Sequence, residues 1–190
     1  MPDSRIYQLK VTLLDTNPLI WRRIRVPAGI ILRRLSEVVK TAMGWGGGHL
    51  HEFRVRGDYY GPILPGNMDD SYPTRSDTKV RLCQVLPQKG SSLIYTYDMG
   101  DNWQHRVYLE RILPRDPKVR VPVCLDGARA CPPEDCGSTS GYERLLTILG
   151  NPRHPEHKGM KRWLKDCGYE PYDPEALDLT AVNDQMRSIR

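Results

Sequence analysis

The chain has 190 residues, and its 28 Lys and Arg against 23 Asp and Glu give a formal net charge of +5 at pH 7. A hydrophobic fraction of 39% is enough to build a core, so the composition excludes a wholly disordered chain. No apolar run is long enough to span a bilayer, and charged and apolar residues are mixed at the amino terminus. We therefore expect no membrane partner and no signal peptide.

The first segments predict a hairpin followed by a helix. Residues 6–14 alternate apolar and polar side chains, turn-forming residues follow at 15–18, and alternation resumes at 20–26. This pattern is typical of two paired strands. The apolar spacing then becomes helical between Ile31 and Ala42, and Gly44 stands where a helix C-cap is expected.

The middle of the chain predicts more strands around a long connection. Residues 51–56 alternate and indicate a strand, and residues 92–97 and 105–113 indicate a second hairpin. Between them, the turn-rich residues 57–76 predict a connection so long that it is expected to be functional or mobile. Asp77 is then expected to cap a short helix.

The carboxyl-terminal part is expected to be helical at residues 142–149, 155–166 and 179–189. Because strands and helices do not alternate as βαβ units, the pattern predicts a single α+β domain. Its sheet should be mixed and largely antiparallel, built from two hairpins plus a central strand and packed with helices. We divide the domain into a sheet-bearing body (1–113), an irregular Pro/Cys-rich loop (114–137) and a helical part (138–190).

The five cysteines are an odd number in a chain without an export signal, which favours a reduced, cytoplasmic setting. Cys83 and Cys167 lie on apolar helical patterns and are expected in the core. The other three, Cys124, Cys131 and Cys136, cluster in the Pro/Cys-rich loop.

This cysteine cluster predicts a structural zinc site. Thiolates suit zinc, and an ion would supply folding energy to a loop that has little apolar material. The spacing differs from a CxxC pair, and three thiols leave a fourth position. We prefer His105 as the fourth ligand, with another histidine or water as alternatives. The competing interpretation is three free cysteines in a rigid turn.

A second group of polar residues suggests a catalytic metal site. Its members are His49, His51, Asp98, Asp101 and His105. Two imidazoles two residues apart share a face of an extended segment, and nearby carboxylates would complete a mixed N/O site able to activate water. The alternative is structural: the aspartates form Asx turns and His105 makes a hydrogen bond inside the sheet.

A third group is basic. Lys158, Lys161, Arg162 and Lys165 recur at helical spacing and form one cationic stripe, opposite an apolar stripe. The stripe could contact DNA phosphates, although such stripes are more often solvated helix faces and +5 is a modest charge for a nucleic-acid binder.

Several segments together resemble one known family. They are PLIWRRIRVP (18–27), MGW (43–45) leading to HLHEF (49–53), YDMGDNWQH (97–105) and ACPPEDCG (130–137). These motifs look like the Ri-plasmid ORF-three family, and the resemblance extends from about Tyr7 to the last helix. One departure is Ser138, where the family often has a second glycine.

The resemblance implies an α+β protein of unknown function encoded on plasmids and insertion elements. Such proteins are often labelled passenger proteins or resolvases, but this sequence contains no recombinase constellation. We therefore expect a non-catalytic binding or accessory factor with a structural zinc loop. The alternatives are a metal-dependent hydrolase or nuclease and a DNA-binding accessory protein.

Overall fold

The computed structural model describes residues 4–63 and 74–189. Helices and strands within this part are β1 (Arg5–Leu13), β2 (Trp21–Pro27), α1 (Leu32–Met43), β3 (His51–Val55), β4 (Asp58–Gly61), β5 (Thr74–Ser76), α2 (Leu82–Val85), β6 (Ser92–Tyr97), β7 (Trp103–Pro114), β8 (Val123–Ala128), α3 (Ser138–Gly150), α4 (His157–Asp166) and α5 (Leu179–Met186).

The two predicted hairpins, β1–β2 and β6–β7, form as antiparallel pairs. In β2 the buried residues Arg22, Ile24 and Val26 alternate with partly exposed ones, as the period-two pattern predicts. Side chains on one face of each hairpin therefore enter the core, and those on the other face reach solvent.

Eight strands of the described chain form one sheet, in the order β5-β4-β3-β6-β7-β1-β2-β8. All neighbouring strands are antiparallel except β4 and β5, which are parallel. This mixed, mostly antiparallel sheet with its helices confirms the predicted α+β class.

Helix α1 packs against the buried face of the sheet. Leu35, Val38 and Val39 are fully buried and join the same hydrophobic cluster as Leu9 and Val11 of β1. The helix ends at Gly44, which has φ 99° and donates its backbone N–H to the Lys40 carbonyl. This left-handed C-cap is the one that the glycine predicts, and it turns the chain toward the next segment.

The turn-rich connection predicted over residues 57–76 contains two strands that were not predicted, β4 and β5. Both strands are short, and short strands carry little periodic signal. The remainder of that predicted connection, residues 64–73, lies outside the described residues.

The prediction of an irregular loop at 114–137 also needs correction. Residues Val123–Ala128 form β8, which pairs with β2 at the edge of the sheet. Cys124 is therefore a strand residue opposite Ile24 rather than part of a free loop. The helical part joins the same core, since Tyr142, Leu145 and Leu164 belong to the main hydrophobic cluster.

Two smaller expectations were wrong. Asp77 does not cap α2, whose N-cap is Arg81; Asp77 is instead fully buried. Cys167 is exposed rather than in the core, because α4 ends at Asp166 and helical spacing no longer positions the residue after it. Among residues 4–63 and 74–189, no helix is both long and apolar enough to cross a membrane.

Candidate metal site

Three segments that are distant in sequence meet at one end of the sheet. They are residues 45–49 after α1, the β6–β7 turn at 97–102, and the turn at 132–137 before α3. Trp45 connects the first and third segments, because its indole N–H donates to the Pro132 carbonyl at 3.0 Å. Its ring also stacks on Tyr97, with ring centroids 4.9 Å apart.

His49 lies between two carboxylates at this junction. Its Nδ1 is 3.5 Å from Oδ2 of Asp98, and its Nε2 is 3.4 Å from Oδ1 of Asp135. The His49 side chain is 33% exposed, Asp98 11% and Asp135 74%. One potential ligand atom from each residue lies within 4.8 Å of the others. We call these three residues the His49 group; they are open to solvent on the Asp135 side.

Local backbone geometry fixes the position of Asp98. The residue has φ 57°, and its Oδ1 accepts the backbone N–H of Gly100 at 2.8 Å. Its own N–H donates to the carbonyl of Leu50 at 2.9 Å, which ties the turn to the start of β3. Since Oδ1 is used in this Asx turn, Oδ2 is the oxygen that faces His49.

Glu134 anchors the 132–137 turn to the other two segments. It accepts a short hydrogen bond from the Tyr97 hydroxyl, and its other oxygen accepts the backbone N–H of Gly46 at 3.3 Å. Burial, and next the bond to Glu134, raise the pKa of Tyr97, so this phenol stays protonated and acts as a donor.

Asp135 projects outward because the backbone reverses at this point. Asp135 has φ 60° and Gly137 has φ 91°. The backbone N–H of Gly137 donates to Oδ2 of Asp101 at 3.2 Å, so the turn is attached directly to the β6–β7 turn. At Gly141, a Cβ atom would lie 2.0 Å from the carbonyl oxygen of Cys136, so α3 approaches the turn as closely as a glycine allows.

The other members of the predicted catalytic group lie elsewhere. Nε2 of His51 is 2.8 Å from Oδ2 of the buried Asp77. His105 is fully buried, its Nδ1 lies 3.3 Å from the Tyr95 carbonyl, and burial lowers its pKa to about 4. It is therefore neutral at physiological pH, with Nδ1–H as the donor. The structure brings His49 and Asp98 together, but not His51 or His105, and Asp101 supports the neighbouring turn.

The match to a family model decides which family the chain belongs to. The model, described as plasmid pRiA4b ORF-3-like protein, matches residues 5–181 and so includes all three segments of the site. The chain belongs to the plasmid pRiA4b ORF-3-like family. This confirms the resemblance seen in the sequence motifs.

Two relatives of this family member are similar over nearly the whole chain. The uncharacterized protein y4hQ of Sinorhizobium fredii (strain NBRC 101917 / NGR234) is 36% identical over 180 residues, covering 95% of this chain and 90% of that protein. The crystal structure of MM3350, a protein of unknown function from Methanosarcina mazei Go1, has a TM-score of 0.83 and 37% identity and covers 95% of this chain and 97% of that one. Neither relative is named for an activity.

The cysteines of this ORF-3-like chain do not share a ligand group with His105. Among the described residues, the set of three or more candidate ligand atoms within 4.8 Å of one another is the His49 group. Burial raises the pKa of Cys124 and Cys131, and it raises that of Cys136 to about 12, so all three thiols are protonated at neutral pH. Strand β8 holds Cys124 in the sheet opposite Ile24. Zinc binding by the three cysteines stays a prediction.

The predicted DNA-contacting residues are all exposed on α4: Lys158, Lys161, Arg162 and Lys165. Leu164 is buried on the other side of the helix, as the amphipathic pattern predicts. DNA binding by this stripe stays a prediction.

Sequence reasoning missed Asp135, although its neighbours were noted. The residue is exposed and lies in a Pro-rich turn, so periodicity offers no signal for it. The Asp-Cys-Gly sequence was a usable signal, since Asp and Gly readily adopt the left-handed backbone conformation of tight turns. A tight turn can project its side chains toward solvent.

Proposed function

We propose that this protein binds a divalent metal ion at His49, Asp98 and Asp135, with zinc as the first candidate. The observation that supports the proposal is the convergence of one imidazole and two carboxylates within 4.8 Å at a solvent-accessible point. Histidine nitrogen and carboxylate oxygen are common zinc ligands, and they come here from three separate segments.

The distances within the group suit an ion of this size. In a tetrahedral zinc site the ligand atoms are separated by roughly 3.4 Å, given metal–ligand bonds of about 2.0–2.2 Å. His49 lies 3.5 Å from Asp98 and 3.4 Å from Asp135. One ion can bind only one of these two ring nitrogens, and the three ligand atoms that the group then offers, one from each residue, lie within 4.8 Å of one another.

The test is zinc binding by the full chain after chelator treatment, measured by isothermal titration and elemental analysis. We expect about one equivalent in the wild type, strong loss in His49→Ala and Asp98→Asn, and a smaller loss in the exposed Asp135→Asn. His157→Ala and Asp166→Asn are the matched controls, since both residues lie on α4 outside the group.

Two outcomes would overturn the assignment. One is a wild type that binds less than half an equivalent of zinc. The other is binding that survives His49→Ala but is lost in Cys131→Ser, which would place the ion in the cysteine loop instead.

A neighbouring cavity favours hydrolysis as a second candidate function. A cavity of about 430 Å³ shares Asp135 with the His49 group and is lined on its apolar side by Leu145, Met160 and Trp163. His49, Asp98 and Asp135 would leave a bound ion one coordination position for water, and the ion would supply a lowered pKa of that water and so a nucleophile. A ligand in the cavity would lie beside that water.

Hydrolysis is tested with chromogenic substrates. We expect zinc-loaded protein to cleave p-nitrophenyl acetate or bis(p-nitrophenyl) phosphate above the background set by free zinc, and His49→Ala to fall to that background. Equal rates for the wild type and His49→Ala would leave metal binding intact as a proposal but would exclude hydrolysis at this site.

A further inference from the structure

The solvent-facing side of the sheet carries a row in which two arginines and a tryptophan alternate with Ile94 and Thr12. Cross-strand register places Arg54 opposite Ile94, Ile94 opposite Arg106, Arg106 opposite Thr12, and Thr12 opposite Trp21. Directly opposed residues lie side by side on one face of a sheet. With strands about 4.8 Å apart, this row crosses β3, β6, β7, β1 and β2 over roughly 19 Å.

A second row runs parallel to the first. It pairs Tyr108 with Lys10, and Lys10 with Arg23. These residues are two positions from members of the first row on the same strands, so they share its face. We call the two rows, with Arg25, the open sheet face.

The open sheet face is accessible. Arg54 and Arg106 are exposed, and Lys10, Trp21 and Tyr108 are partly exposed. The intervening strand residues point into the core and are almost completely buried. The partly exposed ring of Trp21 lies among cations, since Lys10 and Arg23 both contact it.

Some basic residues of this face form ion pairs and others do not. Arg23 binds both Glu110, at 2.8 Å, and Asp126, at 3.0 Å. Glu52 is another carboxylate of the face. Burial raises its pKa, and the nearby Arg54 opposes that increase. Within residues 4–63 and 74–189, Lys10, Arg25 and Arg106 form no ion pair. Arg25 donates twice to Gln8, and Lys10 lies close enough to Glu110 to help lower the pKa of that carboxyl. The exposed Arg106 is therefore the cation most available to an anionic partner.

Cations and aromatic rings are in contact across the face. Nζ of Lys10 lies 4.9 Å from the centroid of the Trp21 ring, and Cζ of Arg106 lies 5.3 Å from that of Tyr108. Flat rings and guanidinium planes beside positive charge match an unpaired nucleotide, whose base stacks while its phosphate pairs with a cation.

We infer that the open sheet face binds single-stranded nucleic acid. Trp21 and Tyr108 would stack on bases, and Lys10, Arg25 and Arg106 would contact phosphates. A duplex fits less well, because a five-strand face about 19 Å across cannot enter the major groove and paired bases do not offer their faces. This inference is independent of the metal site and of the α4 stripe.

The test is fluorescence anisotropy of the full chain with a labelled 15-mer of thymidine, a 15-mer of uridine and a 15-base-pair duplex. We expect both single strands to bind more tightly than the duplex, and comparison of the two identifies the preferred sugar. Trp21→Ala and Tyr108→Ala should each weaken binding by roughly 5- to 150-fold. Arg106→Gln should lower the slope of log affinity against log salt by about 0.7.

Control variants distinguish binding at the open sheet face from binding at α4. Lys161→Gln and Lys165→Gln on α4 should leave the affinity unchanged, and Trp21→Phe should retain most of it even if Trp21→Ala proves unstable. The inference is overturned by tighter binding to the duplex or by loss of binding in the α4 variants alone. It is also overturned if the protein is a dimer that Arg106→Glu dissociates, because the open sheet face would then be a subunit interface. Absence of binding at low salt overturns it as well.

Discussion

Gly141 of α3 lies so close to the backbone of Cys136 that the effect of replacing it can be predicted. A Cβ atom at this position would lie 2.0 Å from the carbonyl oxygen of Cys136 and 2.8 Å from its carbonyl carbon. Real Cβ contacts do not fall below 3.0 Å, so Gly141→Ala must push the turn that carries Asp135 away from α3. The atoms in the way are backbone atoms, which cannot rotate aside as a flexible side chain would.

The magnitude follows from two opposing effects. Overpacking costs about 1–3 kcal/mol, and a clash with backbone atoms belongs at the upper end. Alanine is favoured over glycine inside a helix by roughly 0.5–1 kcal/mol. We therefore expect Gly141→Ala to lower the free energy of unfolding by about 2 kcal/mol, which for a chain of this size lowers Tm by roughly 4–8 °C.

Gly159 supplies the matched control, since it lies inside α4 and a Cβ atom there meets nothing within 4 Å. Gly159→Ala should raise stability by roughly 0.5–1 kcal/mol. The assay is urea unfolding followed by circular dichroism, with zinc affinity as a second measurement, because the displaced Asp135 should bind the ion less well. A Gly141→Ala protein as stable as the wild type would refute the reasoning.

Three further predictions concern the ion and two buried groups. Free zinc at 100 times its Kd should stabilise the wild type by about 2.7 kcal/mol, a Tm increase of roughly 5–11 °C in a thermal melt, and should leave His49→Ala unchanged. Burial lowers the pKa of His105 to about 4, so between pH 6.5 and 4 this histidine binds a proton in the unfolded chain but not in the folded chain. Stability should therefore fall by up to about 3 kcal/mol between pH 6.5 and 4, and His105→Gln should show that much less pH dependence in urea titrations. Arg22 is 1% exposed and donates to three backbone carbonyls, so Arg22→Met should cost roughly 1–3 kcal/mol, whereas Arg54→Met at an exposed position should stay within about 0.5 kcal/mol.

Periodic segments were predictable because their side-chain pattern is set by burial. The hairpin strands and α1 each bury one face in the common core, so their apolar spacing appears directly in the sequence. Strands β4, β5 and β8 are short or lie at or near a sheet edge, so they bury too few residues to produce a period. The pairing of β8 is decided by β2, which is distant in sequence, whereas β4 pairs with the adjacent β3.

The candidate site was predictable only in part. His49 was identified as one of two imidazoles two residues apart, and Asp98 as a carboxylate of the predicted β6–β7 turn. The expected partnership of His49 with His51 did not form, because β3 begins at His51 and the alternation of a strand does not extend back to His49. Asp135 reaches the group through tertiary contacts of its turn, and local sequence does not encode such contacts.

Those contacts also distinguish a pre-organised site from a loop that an ion must fold. Trp45, Tyr97 and Asp101 each make a hydrogen bond to the 132–137 turn, so protein groups alone hold Asp135 in place. A site held in this way loses little conformational entropy when the ion binds. A cysteine loop that depends on zinc should instead unfold when the metal is removed. The far-ultraviolet spectrum of the chelator-treated protein should therefore be unchanged, and a large loss of structure would favour the cysteine loop.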